Sequence, residues 1–350
     1  MTRLPAKIVD NLRPRIGGQS VCVTGGAGFI GGHLVDTLIS LGARVAVLDD
    51  LSNSTPAHIA SLMDLEPDRI RFIQGSILDP SALGEAIDGA AVVFHLAAVS
   101  SVPLSIEDPD RTWVVNATGT MRVLKAASKA GVNRVVYSAS SSAYGDSPEL
   151  PKIESMAPEP MSPYAAAKHA GESLCRSWSG SYGLDTACLR YFNIFGPRQA
   201  ADSAYAAVIP AFVTKFLSNE SPTIFDDGEQ TRDFTHVSNA VLANLLAATH
   251  AEPINGQVVN IGAGVRTTIN ELVTRIQGIL GVEHIAPEHQ PVRVGEVRDS
   301  VADISAAQRV IGYTPVTDLG IGLKATVDWY ASQFRDHADA GADTGQDSGS

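Results

Sequence analysis

Short stretches of consecutive apolar and β-branched residues alternate along the chain with segments in which apolar residues recur at helical spacing. Apolar stretches of about four to eight residues bounded by Gly, Asp or Ser are typical of strands buried on both faces of a sheet. Because strand and helix alternate, the pattern predicts an α/β fold with a doubly wound parallel sheet. The predicted strands are SVCVTG, ARVAVLDD, RIRFIQG, AAVVFHLAA, NRVVYSAS, LDTACLRYFN and, later in the chain, QVVNIG.

A glycine-rich loop separates the first predicted strand from the helix after it. Gly26, Gly28 and Gly31 match G-x-G-x-x-G, in which glycines allow the backbone to turn tightly and approach a pyrophosphate at a helix N-terminus. Asp49 and Asp50 end the second strand about 20 residues on, where an acid accepts hydrogen bonds from the adenosine ribose. An acid there repels a 2′-phosphate, so the pattern favours NAD over NADP.

Three side chains suited to proton and hydride transfer follow later strands. Ser140 ends NRVVYSAS, at the carboxyl edge of the sheet, where doubly wound folds place their chemistry. Tyr164 and Lys168 are spaced i, i+4 and project from one face of a helix. A lysine cation and a positive nicotinamide ring both favour the phenolate of a tyrosine. Together the three side chains can take a proton from a sugar hydroxyl while its carbon gives a hydride to NAD.

The composition excludes several classes of function. With 350 residues, 44% hydrophobic and 18% charged, the chain is a globular protein and neither disordered, collagenous nor a coiled coil. A net charge of -12 repels polyanions, so we expect no nucleic-acid or anionic-membrane partner. No export signal or membrane span is predicted. Three widely spaced cysteines in apolar surroundings predict buried free thiols, no metal site and a cytoplasmic location.

The chain resembles the extended short-chain dehydrogenase/reductases, and specifically the NAD-dependent UDP-sugar 4-epimerase group, which acts on UDP-glucose or UDP-N-acetylglucosamine. The matching segments, in the family's order, are TGGAGFIGGHL, LDDLSNS, HLAA, VVNATGT, SASSSAYG, PYAAAKHAGE, LRYFNIFGPRQ, DGEQTRDFTHV, NIGAG and VRDSVADIS. The resemblance implies a Rossmann-type fold and a tightly bound NAD that is regenerated each cycle through a 4-keto sugar. It also implies a homodimer, formed by the helix near Val114 to Ala130 and the helix that carries Tyr164.

The resemblance assigns roles to individual residues. Tyr164 resembles the catalytic base, Lys168 the residue that holds the nicotinamide ribose, and Ser140, four residues before Tyr144, the hydroxyl bonded to the sugar O4. Ser76 departs from the pattern, because many members have an aspartate there that contacts adenine. The residues expected at NAD are Gly25, Gly28, Phe29, Ile30, Gly31, Asp49, Asp50, Asn53, Ser54, Ser76, Ile77, Leu96, Ala97, Ala98, Asn116, Tyr164 and Lys168.

The substrate's diphosphate calls for cations, and bidentate arginine is the suited residue. Arg232 and Arg298 match the family's two phosphate-binding arginines. Related dehydratases and decarboxylases have acidic residues beside the catalytic hydroxyl, whereas Ser141 and Ser142 follow Ser140 here, which disfavours those reactions. The residues expected at the substrate are Ser100, Ser140, Ser141, Ser142, Asn193, Arg232, Arg298 and Ser300.

Several functions remain open at this point. The serine-rich segment and the small Ser300, which leaves room for a 2-acetamido group, favour UDP-GlcNAc/UDP-GalNAc, with UDP-Glc/UDP-Gal beside it. The alternatives are a UDP-glucuronate 4-epimerase and an NAD(P)H-dependent 4-keto sugar reductase, which would consume its cofactor. A non-catalytic NAD sensor is a further alternative, against which the intact Ser140, Tyr164 and Lys168 argue.

The helix and strand pattern loosens after Gly196 into segments punctuated by proline and glycine. We expect an N-terminal extension over 1–18 and an NAD-binding Rossmann domain over 19–195, with returning elements near 233–262. A smaller, interleaved substrate-binding lobe takes most of 196–333. The small, polar and acidic residues of 334–350 cannot bury apolar area, which predicts a disordered tail.

Overall fold

The protein is described from a computed structural model that covers residues 4–201, 207–292 and 297–343, with side chains through Arg335. The strands are β1 (Ser20–Thr24), β2 (Arg44–Asp49), β3 (Ile70–Gln74), β4 (Val92–His95), β5 (Arg134–Ser140), β6 (Asp185–Tyr191), β7 (Ile194–Phe195), β8 (Thr223–Phe225), β9 (Thr231–Arg232), β10 (Thr235–His236), β11 (Gln257–Ile261), β12 (Thr267–Thr268) and β13 (Glu288–Gln290). The helices are α1 (Ala6–Ile16), α2 (Phe29–Ser40), α3 (Ala57–Leu65), α4 (Pro80–Ile87), α5 (Val102–Glu107), α6 (Pro109–Trp113), α7 (Gly119–Lys129), α8 (Pro163–Tyr182), α9 (Val208–Leu217), α10 (Val237–Thr249), α11 (Ile269–Leu280), α12 (Ser305–Ile311) and α13 (Leu319–Asp343).

The central sheet, as far as the chain is described, has seven strands in the order β11-β6-β5-β4-β1-β2-β3, and every neighbouring pair is parallel. After β3 the chain crosses to the other side of β1 to form β4, so the strand order reverses between β1 and β4. In doubly wound folds, ligands bind outside the carboxyl ends of the strands at such a point. The predicted fold class is confirmed.

Both faces of the sheet are covered, which explains the uninterrupted apolar strands. Successive residues of a strand point to opposite faces, so Val21 and Val23 pack in one core cluster while Cys22 packs in the other. Cys175 and Cys188 lie in the same cluster as Cys22, and all three thiols are free and buried. The predicted buried free thiols are therefore confirmed.

The residues before β1 form a helix that belongs to the main core. In α1, Leu12 and Ile16 are 1% and 4% exposed and join the core cluster that contains residues of α2 and α10. Burying two aliphatic side chains contributes about 1.5–3 kcal/mol each. The N-terminal extension thus packs against α10 and belongs to the core on that side of the sheet.

A smaller lobe forms around a third apolar cluster, contributed mainly by α9, α11 and α13. Its elements are interleaved with the larger one, because β10 pairs with β7 and leads into α10, which packs on α2 and β5. Helix α13 continues to Asp343, so the backbone of 334–343 is helical where composition predicted disorder. Helix propagation adds one hydrogen bond per residue once packed turns have nucleated it, which accounts for the continuation. Residues 344–350 lie outside the described residues.

Candidate active site

The residues expected to carry the chemistry converge at the carboxyl edge of the sheet. Ser140 is the last residue of β5, and Tyr164 and Lys168 occupy the first two turns of α8, which packs against β5. Helix α8 begins where it does because the Ser162 hydroxyl accepts a hydrogen bond from the backbone N–H of Ala165, at 3.1 Å, and a proline takes the first helical position.

Ser140 lies between Tyr164 and Ser142. Its hydroxyl shares a hydrogen bond with the Tyr164 side chain. The Ser142 hydroxyl donates to Ser140 Oγ at 2.8 Å, and the Ser142 N–H donates to the same atom at 3.2 Å. Ser142 therefore helps to orient Ser140, and both Ser142 and the neighbouring Ser141 are partly exposed. Their contacts with the substrate stay predictions.

Lys168 is 4% exposed, and its Nζ lies 4.8 Å from the centre of the Tyr137 ring. Burial lowers the pKa of Lys168 to about 8, opposed chiefly by the carboxylate of Glu172. Burial raises the pKa of Tyr164, and its hydrogen bond with Ser140 opposes that rise only in part. Desolvation of the phenolate therefore outweighs the favourable contacts within the protein itself.

The glycine loop brings three pieces of backbone closer together than any side chain would permit. Gly25 has a φ of +72°, and a Cβ there would lie 2.6 Å from the backbone nitrogen of Ala97. A Cβ on Gly31 would lie 2.0 Å from the carbonyl oxygen of Gly25. Helix α2 begins after Gly28 with no side-chain cap, which leaves its first N–H groups available to an anion. A backbone cradle of this kind fits the pyrophosphate of NAD.

The two aspartates after β2 have different environments. Asp49 is 9% exposed and accepts hydrogen bonds from Ala27 N at 3.0 Å, Leu51 N at 2.9 Å and Ser54 Oγ at 3.0 Å. It therefore ties the glycine loop to β2, with about one of its four acceptor positions left for a ribose hydroxyl. Asp50 is exposed, as is Asn53.

The other residues expected at NAD surround this loop. Leu96, Ala97 and Ala98 follow β4 and are partly exposed. Ser76 follows β3, and its hydroxyl accepts from Leu78 N at 3.2 Å. Phe29 and Ile30 are partly exposed in the first turn of α2, and Ile77 is buried against Gly119 at the start of α7.

Asn116 is 1% exposed and lies in a π-helical turn, Val114–Thr118, between α6 and α7. Its Oδ1 accepts from Val99 N at 2.8 Å and its Nδ2 donates to Val99 O at 2.9 Å. The side chain thereby holds the loop after β4 next to the glycine loop. Turns of this type are frequent at functional sites.

The expected substrate residues Asn193 and Arg232 line a cavity of about 290 Å³ in the smaller lobe. The Arg232 Nη1 donates to the carbonyl oxygens of Thr231 and Arg298. Phe225 and Gln230 line the same cavity and were missed by sequence reasoning. The lining comes from separate segments, and no local pattern marks them as neighbours.

Arg298 is exposed and pairs with two neighbouring carboxylates. Its Nη1 lies 2.5 Å from Asp226 and its Nη2 lies 2.9 Å from Asp227. The bond with Arg298 also lowers the pKa of Asp227. Ser300 donates its N–H to Thr231 O, and Ser100 is exposed after β4.

A buried polar network beneath the site was also missed. Arg190 pairs with Glu172 through two bonds of 2.7 Å and lies 4.6 Å from the centre of the Tyr144 ring. The Tyr144 hydroxyl in turn donates to Asn260 at 2.7 Å. The available signal was the placement of Glu172 eight residues after Tyr164, on the same face of α8.

Two other kinds of site are not found among the described residues. Within 4–201, 207–292 and 297–343, no group of three or more His, Cys, Asp or Glu side chains is arranged to hold a metal ion. No helix in the same ranges combines the length and the apolar character that crossing a bilayer requires.

Comparison with known proteins agrees with this architecture. The sequence model of the NAD dependent epimerase/dehydratase family matches residues 21–262. The chain is 38% identical over 313 residues to the UDP-glucose 4-epimerase of Mycolicibacterium smegmatis, covering 89% of this chain and 98% of that protein.

Solved structures show the same relationship. The UDP-N-acetylglucosamine 4-epimerase from Methanobrevibacter ruminantium, in complex with UDP-N-acetylmuramic acid, has a TM-score of 0.85 at 38% identity, over 91% of this chain and 99% of that chain. MoeE5, in complex with UDP-glucuronic acid and NAD, has a TM-score of 0.79 at 33% identity, over 90% of this chain and 99% of that chain. The expected resemblance is confirmed: the chain belongs to the NAD-dependent epimerase/dehydratase family.

Proposed function

We propose that this protein is a UDP-sugar 4-epimerase that keeps NAD tightly bound and acts on UDP-GlcNAc/UDP-GalNAc, UDP-Glc/UDP-Gal or both. The observation that carries the proposal is the convergence of Ser140, Tyr164 and Lys168 at the carboxyl edge of the sheet, the edge at which the glycine loop also lies, with no carboxylate in the turn that follows Ser140. The relatives that bind UDP-sugars support the substrate class.

The chain's residues divide the chemistry between them. The backbone of the glycine loop would hold NAD, which would supply a reversible hydride acceptor for the sugar C4 and a positive ring that would favour the phenolate of Tyr164. Tyr164 takes the proton from the O4 hydroxyl and gives it back, while Ser140 donates to the same oxygen and holds it in line. Lys168 contributes positive charge from a buried position, where a charge acts more strongly than in water.

The turn after Ser140 favours epimerisation over elimination. A dehydratase has to remove a second proton and expel a leaving group, which requires an acid or a base beside the catalytic hydroxyl. Here Ser141, Ser142 and Ala143 follow, and the Ser142 hydroxyl is bonded to Ser140. The three residues after Ser140 therefore supply no acid or base that would divert the sugar toward elimination.

The nucleotide part of the substrate has a candidate place in the smaller lobe. The cavity of about 290 Å³ offers Phe225 and Phe212 as apolar and aromatic surface for a base, and Arg232 as a cation for the diphosphate. Arg298 is a second candidate cation for the diphosphate. It would give up its ion pairs with Asp226 and Asp227 when it binds the phosphate groups.

A homodimer and a cytoplasmic location are part of the proposal. Trp113 and Val114 are 50% and 43% exposed, and Ile106 and Met121 are exposed on the neighbouring helices α5 and α7. An apolar patch of this kind is typical of a protein interface, and these helices pack beside α8. The three free thiols fit a reducing compartment.

Proton NMR of the anomeric region tests the proposed reaction. The purified protein is incubated without added cofactor and separately with UDP-Glc, UDP-GlcNAc and UDP-GlcA. We expect the galacto epimer of UDP-GlcNAc or UDP-Glc to form with no net production of NADH. If UDP-GlcA is the one compound of the three that is epimerised, UDP-glucuronate takes the place of the proposed substrates. No epimer from any of the three after NAD is supplied would overturn the 4-epimerase proposal and direct attention to 4-keto sugars with NAD(P)H.

A further inference from the structure

A buried ion pair lies behind the lysine of the active site. Glu172 and Arg190 are 4% and 3% exposed, and they bond through two contacts of 2.7 Å, Nε to Oε1 and Nη2 to Oε2. The planar guanidinium and the carboxylate therefore hold each other in one orientation. Removing two charges from water costs more than their attraction returns in many proteins, so such a pair often serves a purpose other than stability.

The ion pair is close to Lys168 along the chain, because Glu172 lies on the same helix. Glu172 follows Lys168 by one helical turn on α8, whereas Arg190 reaches it from the neighbouring strand β6. Both carboxylate oxygens are bonded to Arg190, and Oε2 also contacts His169 Nδ1 at 3.1 Å. Among the described residues no contact within ion-pair distance joins Glu172 to Lys168. The negative charge of the carboxylate thus acts on Lys168, although the carboxylate forms no direct ion pair with the ammonium group.

We propose that Glu172, oriented by Arg190, is a positioning residue that keeps Lys168 protonated and its Nζ available at the active site. The proposal rests on the proposed function, in which Lys168 is the cation beside Tyr164. Arg190 prevents Glu172 from turning onto the lysine, and Glu172 offsets the cost of burying the lysine charge.

The surroundings of Lys168 support this assignment. The ionisable groups that act on Lys168 or respond to it are Tyr137 on β5, His95 on β4, Glu172 and Cys175 on α8, and Cys188 on β6. Burial lowers the pKa of His95 to about 3, and a hydrogen bond with Cys175 together with burial raises the pKa of Cys188, so neither group is charged near neutral pH. Glu172 is the carboxylate among them. Without it, the largest contribution that opposes burial is lost, and the pKa of Lys168, already lowered to about 8, falls further.

Loss of the Glu172 charge lowers the pKa of Lys168 further, so the lysine loses its proton at a lower pH. A neutral lysine no longer favours the phenolate of Tyr164, whose pKa rises. The dependence of kcat/KM on pH is bell-shaped, and both changes narrow it. The alkaline limb moves to lower pH with the pKa of Lys168, and the acid limb moves to higher pH with the pKa of Tyr164, each by roughly one pH unit.

The test removes the pair without leaving an unpaired buried charge. Glu172→Gln combined with Arg190→Gln keeps a neutral amide pair, whereas Glu172→Gln alone would strand the guanidinium. Arg134→Gln combined with Asp185→Asn is the matched control, because it removes a buried ion pair at the amino edge of the same sheet. Arg190→Lys keeps both charges, so the two limbs of its pH profile of kcat/KM are expected to lie near those of the unmodified protein.

Two readouts are measured on the NAD-loaded protein. One is the pH profile of epimerisation. The other is the near-ultraviolet phenolate absorbance, taken as the difference between each protein and its own Tyr164→Phe variant. A narrowed profile and a raised phenolate midpoint in the Glu172/Arg190 double variant alone would support the proposal. Unchanged limbs, or the same narrowing in the control pair or in Arg190→Lys, would overturn it.

The phenolate titration needs no substrate, which separates this proposal from the proposed function. If no UDP-sugar reacts while the midpoint still rises in the double variant, the positioning role stands and the assigned reaction fails. If epimerisation is observed and the midpoint is unchanged, the reaction stands and the role of Glu172 fails.

Discussion

Asn116 joins its side-chain amide to both backbone polar atoms of Val99, at 2.8 Å and 2.9 Å. The extra residue of the π turn rotates Asn116 out of the regular register of the helix and toward the loop after β4. That loop also abuts Gly25, where a Cβ would collide with Ala97. One side chain therefore sets the distance between the two loops of the expected cofactor site.

Asn116→Ala is predicted to weaken NAD binding by roughly 10- to 100-fold, because two hydrogen bonds of about 1 kcal/mol each are lost and the Val99 N–H is left unpaired. Calorimetric titration of the cofactor-free protein measures the dissociation constant. Asn133→Ala, at an exposed position after α7, is the control and should leave it unchanged. If Asn116→Ala has the same dissociation constant for NAD as the unmodified protein, Asn116 does not hold the loop after β4 in place for the cofactor.

Tyr164→Phe is predicted to lower kcat by about 10²- to 10⁴-fold, the usual contribution of an acid–base group. Binding of NAD and of the UDP-sugar should change by less than about threefold, since the ring remains and only the hydroxyl is lost. Single-turnover assays and calorimetry measure the two effects. Tyr182→Phe, which alters an exposed residue at the end of the same helix, should be neutral. Retention of full turnover by Tyr164→Phe would remove this residue from the mechanism.

Ser142→Ala is predicted to lower kcat by about 5- to 10-fold with little change in KM, because it removes one hydrogen bond that orients Ser140. Ser140→Ala should have the larger effect on kcat. Steady-state kinetics of the two variants provides the comparison. A rise in KM with unchanged kcat in Ser142→Ala would instead return Ser142 to the substrate-binding role that the sequence predicted.

Trp113→Arg is predicted to convert a dimer to a monomer, because a charge placed in an apolar interface is costly to bury. The exposed position of Trp113 means that the fold should survive the change. Light scattering coupled to size-exclusion chromatography measures the mass, and circular dichroism checks the fold. Ile321→Arg is the control, since Ile321 is exposed on α13, away from this patch. Equal masses for the unmodified protein and Trp113→Arg would argue against the interface.

Acid is predicted to destabilise the protein through three buried histidines. Burial lowers the pKa of His33 and His95 to about 3 and that of His236 to about 4. In the unfolded chain these imidazoles titrate near 6.5, so below that pH the unfolded state binds protons that the folded state does not. The free energy of unfolding therefore falls between about pH 6.5 and pH 4, by about 1.4 kcal/mol per pH unit for each histidine that stays neutral.

Denaturant unfolding at a series of pH values checks this slope. His236→Asn should reduce the slope by about one proton, because asparagine still caps α10 and does not titrate. His284→Asn, at an exposed position, should leave the slope unchanged. A slope in His236→Asn equal to that of the unmodified protein would show that His236 titrates normally in the fold.

The features that the sequence predicted are those encoded in short stretches of chain. The alternation of apolar strands with helices predicted the doubly wound sheet, and the strand order confirms it. Glycine spacing indicated the turn before α2, because a φ of +72° at Gly25 and its contact with Ala97 exclude other residues. The spacing of Tyr164 and Lys168 indicated one face of α8. Their catalytic roles stay predictions until the variants are measured.

The tertiary structure decided what depends on residues far apart in the chain. Apolar burial alone placed α1 on the core, because Leu12 and Ile16 find a surface made by elements that follow much later. Packing likewise determines two sets of ion pairs. Arg298 pairs with Asp226 and Asp227, and Glu172 on α8 pairs with Arg190 on β6. Periodicity and motifs report on neighbours within a few residues, whereas ion pairs, cavities and docked helices form only when distant segments are brought into contact by burial of the shared core.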